Sequence, residues 1–470
     1  MIKTFARETV LTYSVMPPLY IPFRNAWGQN VYTTYSPFDR DPFTIMASST
    51  SGSPVLIAGD CFFGFLNASG GRFAYDGAGT LTVTCPAGQA LYHTEGTSPY
   101  QAWLDYSAEV AKSFPERHVE AFWSDLEYCT WVDQKHEAIL RGISAQSAIT
   151  EEFVYDYMRR VKALGLPPGK LTIDDGWDIR KMPDGRRVQG NWEIDREKFP
   201  HMEQLVQDMV SEGFTPGIWF APFTATPTAK IAQEHPEVLG GFWDQKSENG
   251  DMEALRFFLP SEALRPYYTE IFSKYIGMGF RKVKLDMSYG PKHEMIALLR
   301  MIDEVIKSID QSVEVEAHIP DIFASRYCDV VRINDVAFDD GGKWRGVTQG
   351  HYYVCRYSSP DRVLNLDHLG TNTPTPRAKD FLEHTRMLLK LKGGVPLRFA
   401  AARPLPGGAR RGGGIRRPGQ RLGQGERALS ADQRERKREK RKEQASVDGR
   451  RPAFAVRGGA KRTRNGMLRA

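Results

Sequence analysis

Between residues 126 and 397 one pattern repeats along the chain. A short apolar run ends on polar or acidic residues, and a longer stretch with apolar positions three and four apart usually follows. The runs are Leu126–Val132, Lys170–Ile173, Thr215–Ala221, Lys282–Asp286, Val313–His318, Val330–Asp335 and Val363–Leu366, and Gly393–Leu397 opens an eighth. Helical spacing marks Ala145–Leu164, Met202–Glu212, Ser261–Gly277, His293–Ile309 and Pro376–Lys392. In the first of these, Phe153, Val154, Tyr157, Met158 and Val161 share a face, and Leu166-Pro167-Pro168-Gly169 stops it. Strands alternating with helices predict a parallel sheet. Eight such units predict an α/β fold of the (β/α)8 TIM barrel type, whose chemistry sits at the carboxyl ends of the strands.

The flanks differ. Residues 1–117 carry short alternating runs, such as Ser53–Ala58 and Thr80–Cys85, between Gly, Ser, Asn and Asp clusters. They predict an N-terminal β-sandwich, joined by a helix over Tyr100–Phe114 to a barrel over 118–397. Residues 398–470 are rich in Arg, Gly, Ala and Pro and show no apolar face. Such a segment buries too little surface to offset its ordering entropy, so a disordered basic tail is expected. The abrupt change inside the eighth strand is what a shifted reading frame in GC-rich DNA would yield, and it leaves that strand incomplete.

Charge follows the same division. The tail holds 22 Lys and Arg against 6 Asp and Glu, of totals 63 and 57. The remaining 41 basic and 51 acidic residues make the body acidic. A basic run suits nucleic acid, but the body has no nucleic-acid motif, so that partner is not expected. Five widely spaced cysteines without a CxxC argue against a disulfide framework and against a zinc site. No apolar leader and no run near 18 apolar residues occur. These features predict no membrane span and a cytoplasmic protein.

The candidate chemistry lies on the run ends. Asp286 is the candidate nucleophile and Asp335 the candidate acid/base. A retaining glycosidase uses two carboxyl groups about 5–5.5 Å apart in these roles. Lys284, two residues before Asp286, points to the same interior face and is expected to keep it ionised. Arg332 is the corresponding cation near Asp335. Asp174 and Asp175 suit adjacent sugar hydroxyls, and Trp131, Trp177 and Trp219 suit the walls of a sugar pocket. His318 ends the fifth run. Singly, each has a plainer explanation. An Asp after a strand often caps a helix, His318 alone would be a satisfied structural histidine, and Asp339-Asp340-Gly341-Gly342 is a turn that offers a fallback acid. The recurrence of acids at successive run ends favours catalysis.

At these residues the chain resembles a known group. Ile173-Asp174-Asp175-Gly176-Trp177, Lys284-Leu285-Asp286 and Arg332-Ile333-Asn334-Asp335-Val336 resemble the retaining α-glycosidases of the melibiase (α-galactosidase, raffinose synthase-like) clan. Gly190-Asn191-Trp192-Glu193-Ile194-Asp195, with Phe199-Pro200 and Gly217-Ile218-Trp219, also resembles the α-glucosidase/α-xylosidase family. The resemblance covers about residues 120–397. It implies a glycoside hydrolase that cleaves terminal α-linked sugars by double displacement, with no metal, no cofactor and an oligosaccharide or glycoside substrate. It places the nucleophile on Asp286, the acid/base on Asp335, and sugar contacts on Asp174, Asp175, Lys284 and Arg332. Two departures stand out. The fifth run ends Glu316-Ala317-His318-Ile319-Pro320, where many members carry a Cys and a glycine-rich loop. The Arg332-to-Asp335 spacing is one residue shorter than in many members. A transglycosylase, an α-glucosidase or α-xylosidase, and an inactive carbohydrate-binding relative are the alternatives, and a homo-oligomer is compatible with all of them.

Overall fold

A computed structural model gives the architecture. It describes residues 1–16, 54–68, 70–242, 254–288, 292–319, 321–332 and 361–365. Short pieces at 19–21, 33–35, 43–44, 336–337, 369–370 and 398–399, and scattered positions between 344 and 388, are also described. The chain divides into two units, Met1–Pro404 and Leu405–Ala470, and every described residue lies in the first.

The N-terminal region consists of two antiparallel sheets. The larger has the order Ile2–Thr4, Ala90–Glu95, Cys61–Phe65, Val55–Ala58, Leu19–Ile21, Thr33–Tyr35. The smaller has the order Thr9–Ser14, Thr80–Cys85, Arg72–Tyr75, Phe43–Thr44. Thr80–Cys85 alternates half-buried and buried positions, as one face against a core requires. The two sheets face each other through rings: Phe65 stacks on Phe73 at 4.6 Å and Tyr13 meets Phe63 edge-on at 4.8 Å. Helix Pro99–Ala111 packs on the larger sheet, where the Tyr106 hydroxyl donates to the Phe65 carbonyl at 2.6 Å. Past that helix, Arg117 ties the linker to the next region through Asp303 at 2.7 Å and Asp329 at 2.8 Å.

The second region is built on eight parallel strands. Their order is Val363–Asn365, Val330–Arg332, Glu314–Ala317, Lys282–Leu285, Thr215–Phe220, Lys170–Ile173, Glu127–Cys129, Arg398–Phe399. Asn365 Nδ2 donates to Glu127 Oε2 at 3.0 Å, although six strand spacings separate them. In a flat sheet that separation would be about 29 Å, at about 4.8 Å per strand. The sheet is therefore curled, and its interior is narrow enough for opposite strands to touch.

The alternation inside it is unusual for parallel strands, which are commonly apolar on both faces. Here Tyr128, Leu171, Ile173, Ile218, Phe220, Val283, Leu285, Val315 and Ala317 join the outer hydrophobic core. The intervening Glu127, Lys170, Thr172, Lys282, Lys284, Glu314 and Glu316 point inward and are all buried. Lys170 pairs with Glu314 at 2.8 Å, and Lys282 with Glu316 at 2.7 Å and with Glu127. Asn365 completes the network on Glu316 at 2.8 Å. Gly217 leaves room for it, since a Cβ there would stand 2.7 Å from Thr172 Oγ1.

Several expected boundaries move. The first strand stops at Cys129, and Trp131 opens helix Trp131–Arg141. The stretch Ala145–Leu164 is two helices, Ala145–Ala148 and Glu151–Ala163. The extended Ile149 and Thr150 break it, and Thr150 Oγ1 caps the second helix by accepting from Phe153 N at 3.2 Å. An eighth strand is described at Arg398–Phe399, paired with Glu127 and Tyr128, while Gly393–Leu397, expected to open it, lies outside the described residues. Those two residues, assigned to the tail by composition, belong to the sheet. Residues 389–397, most of Pro376–Lys392 and all of 400–470 lie outside the described residues. A three-stranded antiparallel sheet, Thr224–Ala225, Arg256–Phe258 and Leu239–Phe242, follows the third parallel strand and was not expected.

Candidate active site

The carboxyl ends of the second to sixth parallel strands converge on Asp286. Strand Lys282–Leu285 brings Lys282, Lys284 and Asp286 to one face by its two-residue period. Beyond the strand, Met287 adopts the left-handed φ of 58°, and its N–H donates back to Asp286 Oδ1 at 2.8 Å. A non-glycine residue in that region stores strain and is typical of functional turns. His318 Nδ1 lies 3.0 Å from the same oxygen. Asp286 Oδ2 receives Trp219 Nε1 at 3.1 Å and Arg332 Nη2 at 3.1 Å. Four polar groups thus fix one carboxyl group, whose side chain keeps 21% of its surface exposed.

Charge follows from these contacts. Burial alone would raise the Asp286 carboxyl, but Arg332, His318 and Lys284 overcome it and hold the group well below the usual carboxylate range. Asp174 behaves the same way: burial works against ionisation, and Lys284 and Cys129 outweigh it, so its carboxyl is lowered. Lys284 Nζ sits 2.5 Å from Asp174 Oδ2, which Cys129 Sγ also reaches at 3.0 Å. Asp175 is raised by burial against the pull of Arg180 and Gln146.

Placement of the remaining candidates is mixed. Arg332 pairs with Asp286 and lies 3.5 Å from Glu316. Asp335 itself, with Asp339 and Asp340, lies outside the described residues. Trp177 is not a pocket wall. It is fully buried, donates Nε1 to the Trp219 carbonyl at 2.8 Å, and stacks on Trp192 at 6.2 Å in the outer aromatic core. Trp219 serves the carboxylate through its N–H, with Arg180 over its ring at 5.5 Å. Trp131 is half-buried at a helix start.

Three further residues at this mouth were not singled out by the sequence. Arg180 bridges Asp175 at 2.6 Å and Asp178 at 2.7 Å. Gln146 donates to Asp175 Oδ2 at 2.9 Å. Cys129 contacts Asp174. Arg180 lies in a loop and Gln146 in a short helix, where side-chain direction depends on the turn and not on a repeat, whereas Cys129 is the last residue of the first strand, on the same face as Glu127. Gly176, with φ of 114°, makes the turn after Asp175 and leaves no room for a Cβ against Gln146.

Among the described residues, two groups bring three metal-type donors within 4.8 Å: Cys61, His93 and Glu95, and Glu127, Glu314 and Glu316. The second already encloses a cation, the Lys282 ammonium.

Residues 129–257 match the family model described as Melibiase. Over that stretch this chain is similar to the melibiases. It is 29% identical over 87 residues to the α-galactosidase of Escherichia coli and 32% identical over 79 residues to α-galactosidase 1 of Pediococcus pentosaceus. Those stretches cover 18% and 17% of this chain, and only 12% and 10% of the two relatives' own length. Among solved structures, the Thermus thermophilus α-galactosidase in complex with p-nitrophenyl α-D-galactopyranoside superposes with TM-score 0.57 at 16% identity. That superposition covers 80% of this chain and 88% of the other. An α-xylosidase from a soil metagenome, complexed with xylose, gives 0.54 at 11% identity, covering 76% and 52%. At these identities the superpositions speak for the fold alone, an α/β fold with a curled parallel sheet and a β-sheet N-terminal region. No described helix is long and apolar enough to cross a membrane.

Proposed function

We propose that this chain is a retaining glycoside hydrolase acting on terminal α-linked sugars, with α-galactosides as its leading substrates. The observation that carries the reading is Asp286: a carboxylate at the fourth strand end, held ionised by cations, fixed on both oxygens and still partly exposed. Those are the needs of a nucleophile that must attack an anomeric carbon from a set direction. Asp286 forms the sugar ester as the glycosidic C–O bond breaks, and Asp335 gives its proton to the departing oxygen. Water then loses a proton to Asp335 and attacks the anomeric carbon, breaking its bond to the Asp286 oxygen and freeing the carboxylate. Asp174, Asp175 and Lys284 bind hydroxyls at the floor of the pocket. In this reading the curled sheet closes as a (β/α)8 barrel over 118–399, behind an N-terminal β-sandwich over 1–117. Oligosaccharides are the natural substrate class, in keeping with the Thermus enzyme solved in complex with stachyose. The protein would work in the cytoplasm.

The similar superposition on the α-xylosidase supports a second sugar specificity on the same machinery. A panel of nitrophenyl α-galactoside, α-glucoside and α-xyloside separates the two. Turnover of one of them, with the α-anomer released first by NMR, is expected. Release of the β-anomer would overturn double displacement. Absence of all turnover would favour a carbohydrate-binding relative without catalysis.

A further inference from the structure

We propose that Arg180 is a specificity-determining residue of this site, one that reads hydroxyls of a neutral pyranose together with Asp175; the inference rests on the glycoside-binding reading above. Three of its donors are fixed. Nε donates to Asp178 Oδ1 at 2.7 Å, Nη1 to Gln189 Oε1 at 2.7 Å, and Nη2 to Asp175 Oδ1 at 2.6 Å. A guanidinium has five N–H groups, so two remain without a partner among the described residues. The side chain is 22% exposed, and Asp175 beside it is 15% exposed. Two rings hold the guanidinium in place, Trp219 at 5.5 Å and Trp192 at 5.7 Å from Cζ.

This arrangement suits a sugar hydroxyl, which is donor and acceptor at once. Asp175 has one described partner on each oxygen, Arg180 on Oδ1 and Gln146 on Oδ2. Each carboxylate oxygen has a further lone pair to accept a hydroxyl proton. In the proposed contact the two remaining N–H groups of Arg180 donate to the same hydroxyl's oxygen or to its neighbour's. An axial and an equatorial hydroxyl cannot meet both partners equally, so the pair discriminates epimers. Trp219 also connects Arg180 to the nucleophile, because its N–H holds Asp286 Oδ2. Lysine cannot replace the planar fork.

The test uses the full chain and its Arg180→Ala and Arg180→Lys variants. Galactose, glucose and xylose binding is measured by calorimetry, and kcat and KM are measured on the nitrophenyl panel. Arg180→Ala should weaken binding of the preferred sugar about 10- to 100-fold, the effect of losing charge-assisted hydrogen bonds. The loss should appear in KM more than in kcat, and discrimination between galactose and glucose should shrink. Arg180→Lys should not restore it, whereas added guanidinium should in part restore Arg180→Ala. Unchanged affinity and epimer preference would overturn the inference and leave the hydrolase reading intact. Sugar binding that depends on Arg180 in a chain without turnover would keep the inference and end the hydrolase reading. A wild-type chain that neither binds nor cleaves any of the three sugars would end both.

Discussion

The interior of the parallel sheet holds two levels of charged side chains, displaced by one pleat along the same strands. In the deeper level, Glu127, Lys170, Lys282, Glu314 and Glu316 are fully buried and answer one another. In the upper level, Asp174, Lys284, Asp286, His318 and Arg332 use the same residue types, yet the Asp286 side chain remains 21% exposed. A closed charged cluster at depth specifies how the strands meet. An open one at the mouth has capacity left for a ligand. The same two-residue alternation in the sequence makes both, and only the distance from the strand end separates structural from chemical use.

Breaking the upper level should cost activity and spare the fold. Asp286→Asn should lower turnover by roughly four orders of magnitude or more, as for other residues that carry the covalent step, with near-UV circular dichroism unchanged. Retained turnover would remove Asp286 from its proposed role. Breaking the deeper level should do the reverse. Lys282→Ala leaves three buried glutamates without their shared cation and should cost about 3–5 kcal/mol of stability by urea unfolding. An unmoved midpoint would show that the deeper cluster is not a unit.

Asp178 sharpens the contrast through pH. It is buried behind the mouth, and burial pushes its carboxyl up to about 6 despite the Arg180 pair. A carboxyl raised in the folded state contributes stability that is complete below the unfolded value near 4 and declines as pH rises through about 6. The span corresponds to roughly 2–3 kcal/mol. Asp178→Asn should flatten the dependence of the unfolding midpoint on pH across that window. Asp286 and Asp174 are lowered, so their contribution is present above the ordinary carboxylate range and is lost only as pH falls below it. The smallest effect is expected at Asn365. Asn365→Ala removes one neutral donor from Glu127 and Glu316 and should cost roughly 1–3 kcal/mol. A cost near that of Lys282→Ala would mean that the amide, and not the ammonium, organises the deeper level.

The strands were legible because Lys282-Val283-Lys284-Leu285-Asp286 and Glu314-Val315-Glu316-Ala317-His318 announce their period directly. Their polar positions do more than end an apolar run. They mark which face points inward, and the inward face is the charged one. Asp286, Asp174 and Lys284 could be found in this way because they lie on the extension of a strand, where position fixes direction. Trp177 could not, since the Gly176 turn sends it outward into the aromatic core. Arg180 and Gln146 come from a loop and a short helix, and their meeting at Asp175 depends on long-range packing that no local pattern encodes. The eighth strand was hidden by composition: Arg398 and Phe399 open an arginine-rich stretch, yet their backbone pairs with the first strand as any strand would.

The central claim is that Asp286 attacks the sugar. An α-galactosyl fluoride carrying a second fluorine on the ring slows breakdown of a sugar ester enough to trap it. Mass spectrometry of the digested protein after such treatment should find the added sugar on the peptide containing Asp286, and hydroxylamine should remove it. A label on any other carboxylate, or turnover of the reagent with release of the β-anomer and no label, would contradict the account.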